Sequence, residues 1–141
     1  MQKQNIVVPG YREARKKGEV THQDGYHQPG SGHRGRPLCG CSLDTEKGAY
    51  RDVTVKMPDG RVAHFYHQSP VVVVQDGRYR LDNHGYTTRS TKERINGHTP
   101  SGYKVFQRGY EWYVKVWDPE TPFRERDPDE MNFKNGMMLE P

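Results

Sequence analysis

The chain has 141 residues, 31% hydrophobic and 28% charged, with 22 Lys and Arg against 18 Asp and Glu. An apolar share below the usual ~45–50% leaves room for one domain with a small core. With no apolar run of about 18 residues, a membrane span is not expected, nor a signal peptide, and the net charge of +4 favours anionic partners without requiring them.

Residues 1–48 are rich in glycine and proline and have hardly any periodic apolar pattern, which predicts an extended basic arm. Arg12, Arg15, Lys16 and Lys17 make one basic cluster, and Arg34 and Arg36 a second in a glycine-rich setting. The arm also holds His22, His27, His33, Cys39 and Cys41, donors enough for a tetrahedral zinc. C-x-C is not the usual zinc knuckle, however, and the histidine spacings fit no standard finger. Incidental histidines and no cofactor are therefore the expectation, with structural zinc as the lesser reading. Two cysteines too close for an easy mutual disulfide fit a reducing compartment.

Residues 49–117 read as a core domain of strands joined by tight turns. In "VTVKMPDGRVAHFYH", Val53, Val55 and Met57 alternate into a Pro-Asp-Gly turn, and a return strand runs from Val62 to Tyr66. In "VVVVQDGRYRL", Asp76-Gly77 suits a two-residue turn with positive φ at both positions. Gln75 then faces Arg78, Val74 faces Tyr79 and Val72 faces Leu81, with Val71, Val73, Arg78 and Arg80 on the opposite side. Next, Ser90-Thr91-Lys92-Glu93 reads as a capping box before a short helix over about 91–96, with Gly97 as its left-handed terminator. Ile95 would point at the sheet, while Arg89, Lys92 and Arg94 stay near the surface. So short a helix must pack on the strands to persist.

"YKVFQRGYEWYVKVW" predicts a third hairpin turning at Arg108-Gly109, with Gln107 opposite Tyr110, Val105 opposite Trp112 and Tyr103 opposite Val114. Its other face carries Lys104, Phe106, Glu111, Tyr113 and Lys115. Aromatics interleaved with cations on an open sheet can stack bases and neutralise phosphates, although an ordinary solvated face has the same composition. Residues 118–141 read as a second tail, with Met131, Phe133, Met137, Met138 and Leu139 available for docking. Tails this polar call for a partner or further copies to order them. The fold class expected is α+β: an antiparallel sheet of about six strands, one short helix and two arms.

The run "LDNHGYTTRSTKERIN", then "VFQ" and "EWYV", resembles a family of small proteins of tailed bacteriophages and related prokaryotic viruses. In that pattern a strand ends in leucine, here Leu81, and passes a glycine-aromatic pair, Gly85 and Tyr86, into a threonine-rich turn at Thr87 and Thr88. A basic short helix follows with Thr91, Lys92, Arg94, Ile95 and Asn96, then a hairpin bearing Gln107, Trp112, Tyr113 and Val114. Tyr86 stands where tryptophan is expected, and the arm before residue 49 has no counterpart in the family. The resemblance implies a viral gene product acting in the host cytoplasm or carried in the virion, and it brings no catalytic residue.

His64, His67, His84 and His98 read as turn or surface residues, and Asp44, Glu46 and Asp52 have no spacing that marks a metal nuclease. No Walker loop, G-x-S-x-G elbow or H-E-x-x-H is present, so an enzyme is not expected. Binding to DNA or RNA is the preferred function. It would use the two arm clusters, a folded cluster of Arg78, Arg80, Arg89, Lys92 and Arg94, and Lys104, Tyr113 and Lys115 on the sheet. A virion assembly protein whose arms lace onto neighbouring subunits, and an inhibitor of a host enzyme or defence complex, are the alternatives.

Overall fold

The computed structural model describes residues 6–27 and 49–141. Among these residues the fold is α+β, with two antiparallel sheets and two α-helices in place of one sheet and one helix. Helix α1 (Tyr11–Lys17) precedes β1 (Glu19–His27), β2 (Ala49–Lys56), β3 (Val62–Tyr66), β4 (Ser69–Gln75) and β5 (Arg78–Leu81). Helix α2 (Arg89–Asn96) leads to β6 (Tyr103–Arg108), β7 (Glu111–Val116), β8 (Asp129–Asn132) and β9 (Met137–Leu139). The larger sheet has the order β1-β2-β3-β4-β5-β9 and the smaller one β6-β7-β8.

Alternation along the strands divides the core into two clusters on opposite faces of the larger sheet. Val53, Val55, Ala63, Phe65 and Val73 point one way and are covered by Ile6 and by Ala14 of α1. Tyr11 adds an edge-on contact to Phe65 at 5.3 Å. Val72 and Leu81 point the other way, against Ile95 of α2 and against Val105, Trp112 and Val114 of the smaller sheet. The molecule is thus layered, and both faces of β4 are buried.

The described part of the expected N-terminal arm, residues 6–27, is built into this core through α1 and the β1–β2 pairing. The C-terminal tail also departs from expectation, because β8 extends the smaller sheet along β7 and β9 extends the larger one along β5. All four β8 side chains are exposed, so backbone pairing and the Glu130–Arg108 ion pair, not burial, place that strand. Leu139 of β9 is buried beside Leu81 and Tyr79.

The β4–β5 hairpin has the expected register, Gln75 to Arg78, Val74 to Tyr79 and Val72 to Leu81. Asp76 and Gly77 have φ of 52° and 74°, the left-handed pair that this turn needs. The third hairpin is shifted: Gln107 pairs with Trp112, Val105 with Val114 and Tyr103 with Val116, so Gly109-Tyr110 is the turn. A shift of two residues keeps every side chain on its expected face, and Trp112 and Val114 remain buried.

Helix α2 begins two residues earlier than expected. Thr88, not Ser90, is its N-cap, with Thr88 Oγ1 accepting from the Thr91 amide at 3.3 Å. With Thr88 as the cap, Thr91 and not Glu93 stands at the third helical position, so no capping box forms, and the Glu93 carboxylate takes the Arg89 guanidinium at 2.9 Å. Gly97 is right-handed, with φ of −68°; the last carbonyls are instead taken by the His98 amide and the Thr99 hydroxyl. The Asn96 side chain behaves as a strand partner: its Nδ2 donates to Val105 O at 2.8 Å and its Oδ1 accepts from Val105 N at 2.7 Å. That pair docks the end of α2 on the edge of β6.

Candidate functional site

Residues opposite one another in a sheet share a face. The register therefore lays out a row His22, Thr54, His64, Val72, Leu81, Met137 across six strands, polar at the β1 end and apolar at the β9 end. A second row begins Asp24, Asp52, Tyr66. Helix α2 and the smaller sheet cover the apolar end. Over the polar end they leave a pocket of about 240 Å³ whose walls include His22, Asp24, Asp52, Thr54, His64, Arg94 and His98.

A bulge in β1 creates this arrangement. Val20 pairs with Val55 and packs in the Ile6 cluster, but the register then slips so that His22, not Thr21, stands opposite Thr54. The extra residue turns His22 and Asp24 to the pocket face. Gly25 opens space beside them, since a Cβ there would lie 2.9 Å from Arg51 Cβ and 3.0 Å from its guanidinium carbon.

Asp52 is the hub. Its Oδ2 accepts from Arg51 Nε and its Oδ1 from Arg94 Nε, both at 2.7 Å, with only 19% of its side chain exposed. The bond to Asp52 holds the Arg51 guanidinium proton more firmly than usual. The Arg94 guanidinium also lies 5.1 Å over the Tyr66 ring, and it ties α2 to β2.

His64 and His98 stack at 3.7 Å between ring centroids with 10° between planes. His64 Nδ1 shares a 2.8 Å hydrogen bond with Thr54 Oγ1. Desolvation first, then the other imidazoles, brings the His64 pKa down from 6.5 to about 3, and desolvation lowers that of His98 too. Both rings are neutral at physiological pH. Metal ligation uses lone pairs in the ring plane, and two nearly parallel planes do not meet at one ion. Consistently, the described residues contain no group of three His, Cys, Asp or Glu side chains that could hold a metal.

The depressed His64 pKa has a definite consequence for stability. Above pH 6.5 neither folded nor unfolded chain protonates this ring, and its contribution is intact. As pH falls below 6.5 the unfolded chain takes up a proton that the fold resists, so stability drains away toward pH 3. At pH 5 the loss from His64 should be about 2 kcal/mol. Urea unfolding at pH 7.5 and pH 5 measures it; His64→Asn should flatten the difference by that amount, and an unchanged pH slope would refute the assignment.

The residues expected to bind nucleic acid are dispersed. Arg12, Arg15, Lys16 and Lys17 are exposed on α1, where Arg15 donates to the Tyr11 hydroxyl and Lys17 pairs with Glu13. Arg34 and Arg36 lie outside the described residues. So do His33, Cys39, Cys41 and the His27 side chain from the expected zinc set, leaving His22 in the pocket. The folded cluster is not formed: Arg78 and Arg80 project to the Val73 face of the sheet and α2 packs on the other. Arg89 is exposed beside Glu93, Lys92 lies 5.9 Å over Trp112, and Arg94 is drawn into the pocket. Asp82, 3.5 Å from Arg80, further offsets that cation.

Lys104, Tyr113 and Lys115 do come together on the open face of β6 and β7. Phe106 and Tyr113 are stacked at 5.6 Å, with Lys104 paired to Lys115 on the next rung. Arg108 stands 5.4 Å over Phe106 and 5.1 Å over Tyr113, and Lys115 lies 4.9 Å from Phe106. Glu130 of β8 pairs with Arg108, and Glu111 accepts from the Tyr113 hydroxyl, which raises that phenol's pKa. Tyr110 projects at the hairpin tip, 98% exposed.

His64 and His98 were expected in turns or at the surface, as were His67 and His84. The latter two do sit in turns, with φ of 48° and 52°. A signal for the pocket existed in the alternation: with Val53, Val55, Ala63 and Phe65 inward on one face, Asp52, Thr54 and His64 had to gather on the other.

Among the described residues no helix is long and apolar enough to cross a membrane. Among known families, the one described as Kyanoviridae Gp96 protein matches residues 45–140. No curated protein and no solved structure matches.

Proposed function

The chain belongs to the Kyanoviridae Gp96 protein family, a family of phage proteins, and from that premise we propose that it is a non-enzymatic binding protein for single-stranded DNA or RNA in the infected cell or the virion. The observation that carries this reading is the stacked Phe106–Tyr113 pair on an open sheet face, flanked by Arg108, Lys104 and Lys115. A half-exposed aromatic pair offers π-faces to successive bases whatever their sequence, and the cations beside it meet the phosphates. Arg108 already occupies the ring faces, so a base would exchange with a guanidinium that is 60% exposed. Glu111 and Glu130 offset part of the positive charge here, which makes stacking the larger contribution. The cations of α1 offer a second, non-specific contact with phosphates.

Fluorescence anisotropy with a labelled single-stranded oligonucleotide tests the reading. Binding should weaken steeply from low to physiological salt. Replacing both Phe106 and Tyr113 by Ala should weaken it about 5- to 150-fold, the equivalent of losing one stacked base at ~1–3 kcal/mol. No binding at micromolar protein, or an unaltered affinity in the double variant, would move the function to assembly with other viral proteins or to contact with a host protein.

A further inference from the structure

We propose that the pocket between β1, β2, β3 and the end of α2 is a binding site for a phosphate group, either inorganic phosphate or a phosphate carried on a small molecule. Two guanidinium groups line it, and each spends its Nε–H on the same carboxylate. Asp52 therefore acts as a spacer between two arginine forks: the terminal amino groups of Arg94 remain available as donors, while one of Arg51 lies 3.8 Å from Asp24 Oδ2 at the exposed rim, a long contact that an incoming anion would replace. Such forks match the geometry of oxyanions.

The remaining wall chemistry selects the same ligand class. His22, His64 and His98 can each donate an N–H, while the two guanidinium groups outnumber Asp52 in the interior, Asp24 being 69% exposed at the rim. A cation entering the pocket would meet two arginines, and a neutral apolar molecule would strip water from the donors without replacing it. An oxyanion satisfies them. The volume of about 240 Å³ is below the ~300–1,000 Å³ of pockets for drug-sized ligands, which limits the occupant to a small anion or the phosphate end of a larger one. Because Arg94 and His98 arrive from α2 and its C-terminal turn and the others from strands, an anion there would join helix to sheet.

The test is a titration of the full chain with inorganic phosphate at low ionic strength, followed through the imidazole NMR signals of His64 and His98. Saturable shifts of both rings are expected. Affinity should fall at least about tenfold in Arg94→Lys, which keeps the charge but loses the fork, and measurably in His22→Asn, an exposed position where folding is not at risk. A 5′-mononucleotide and its nucleoside form the two further arms. Equal binding of phosphate and mononucleotide assigns the site to the phosphate alone, and tighter mononucleotide binding extends it to the attached group. Silent His64 and His98 signals at tens of millimolar phosphate, a nucleoside that binds as well as its nucleotide, or undiminished affinity in both variants would overturn the proposal.

Discussion

Asp52→Ala should destabilise the protein by about 2–4 kcal/mol, because removing the shared carboxylate strips the part-buried Arg94 guanidinium of its carboxylate and leaves Arg51 with the exposed Asp24, 3.8 Å away. The thermal midpoint should drop by roughly 2–4 °C for each kcal/mol lost. Asp52→Asn keeps the shape and one acceptor, so its loss should be smaller. The decisive measurement is a double-mutant cycle with Arg94→Met. Taking away one stranded cation should recover part of the Asp52→Ala loss, making the double variant more stable than the sum of the two single changes. Additive effects would mean that the Arg51, Asp52 and Arg94 side chains do not act as a unit.

Trp112 gives the second large effect, with an asymmetry that identifies its cause. The side chain is 7% exposed and packs edge-on against Phe133 at 5.3 Å, beneath the Lys92 ammonium. Trp112→Ala should cost about 3–5 kcal/mol, from lost transfer energy and the cavity left at the junction of α2 with β7. Its indole Nε1 is buried and has no hydrogen-bond partner among the described residues. Phenylalanine removes that unsatisfied donor, which offsets about 1–3 kcal/mol of the loss of volume. Trp112→Phe should therefore lie much nearer the parent than to the alanine variant in urea unfolding. Equal losses for both would show that the indole N–H is satisfied in solution.

Where the fold was legible in the sequence, a local rule decided it. Asp76-Gly77 names its own turn, and alternation then fixes the β4–β5 register. At the β6–β7 hairpin, Arg108-Gly109-Tyr110 permits two turns, so the register was off by two, but parity still put Trp112 inside and Tyr113 outside. The β3–β4 connection had no such mark. His67 and Gln68 adopt φ of 48° and 67° with neither glycine nor asparagine to announce it. β8 was invisible for a different reason, because its four exposed side chains report nothing about pairing.

The aromatic–cation face was legible because Lys104, Tyr113 and Lys115 sit on alternate positions of neighbouring strands. The pocket was hidden in part by the β1 bulge, which reverses the face that simple alternation assigns to His22 and Asp24. Arg94 was hidden by its charge. On a short polar helix it reads as solvent-facing, and only Asp52, 42 positions earlier in the chain, draws it inward.

Asn96 bears on how the protein behaves among other chains at high concentration. A bare outer strand invites another polypeptide to add itself, the route to runaway fibrous assembly. By answering both main-chain groups of Val105 with one amide, this residue plugs that flank of the small sheet at its midpoint. Any intruding chain would first have to evict it, and with it loosen the helix that shields the tryptophan.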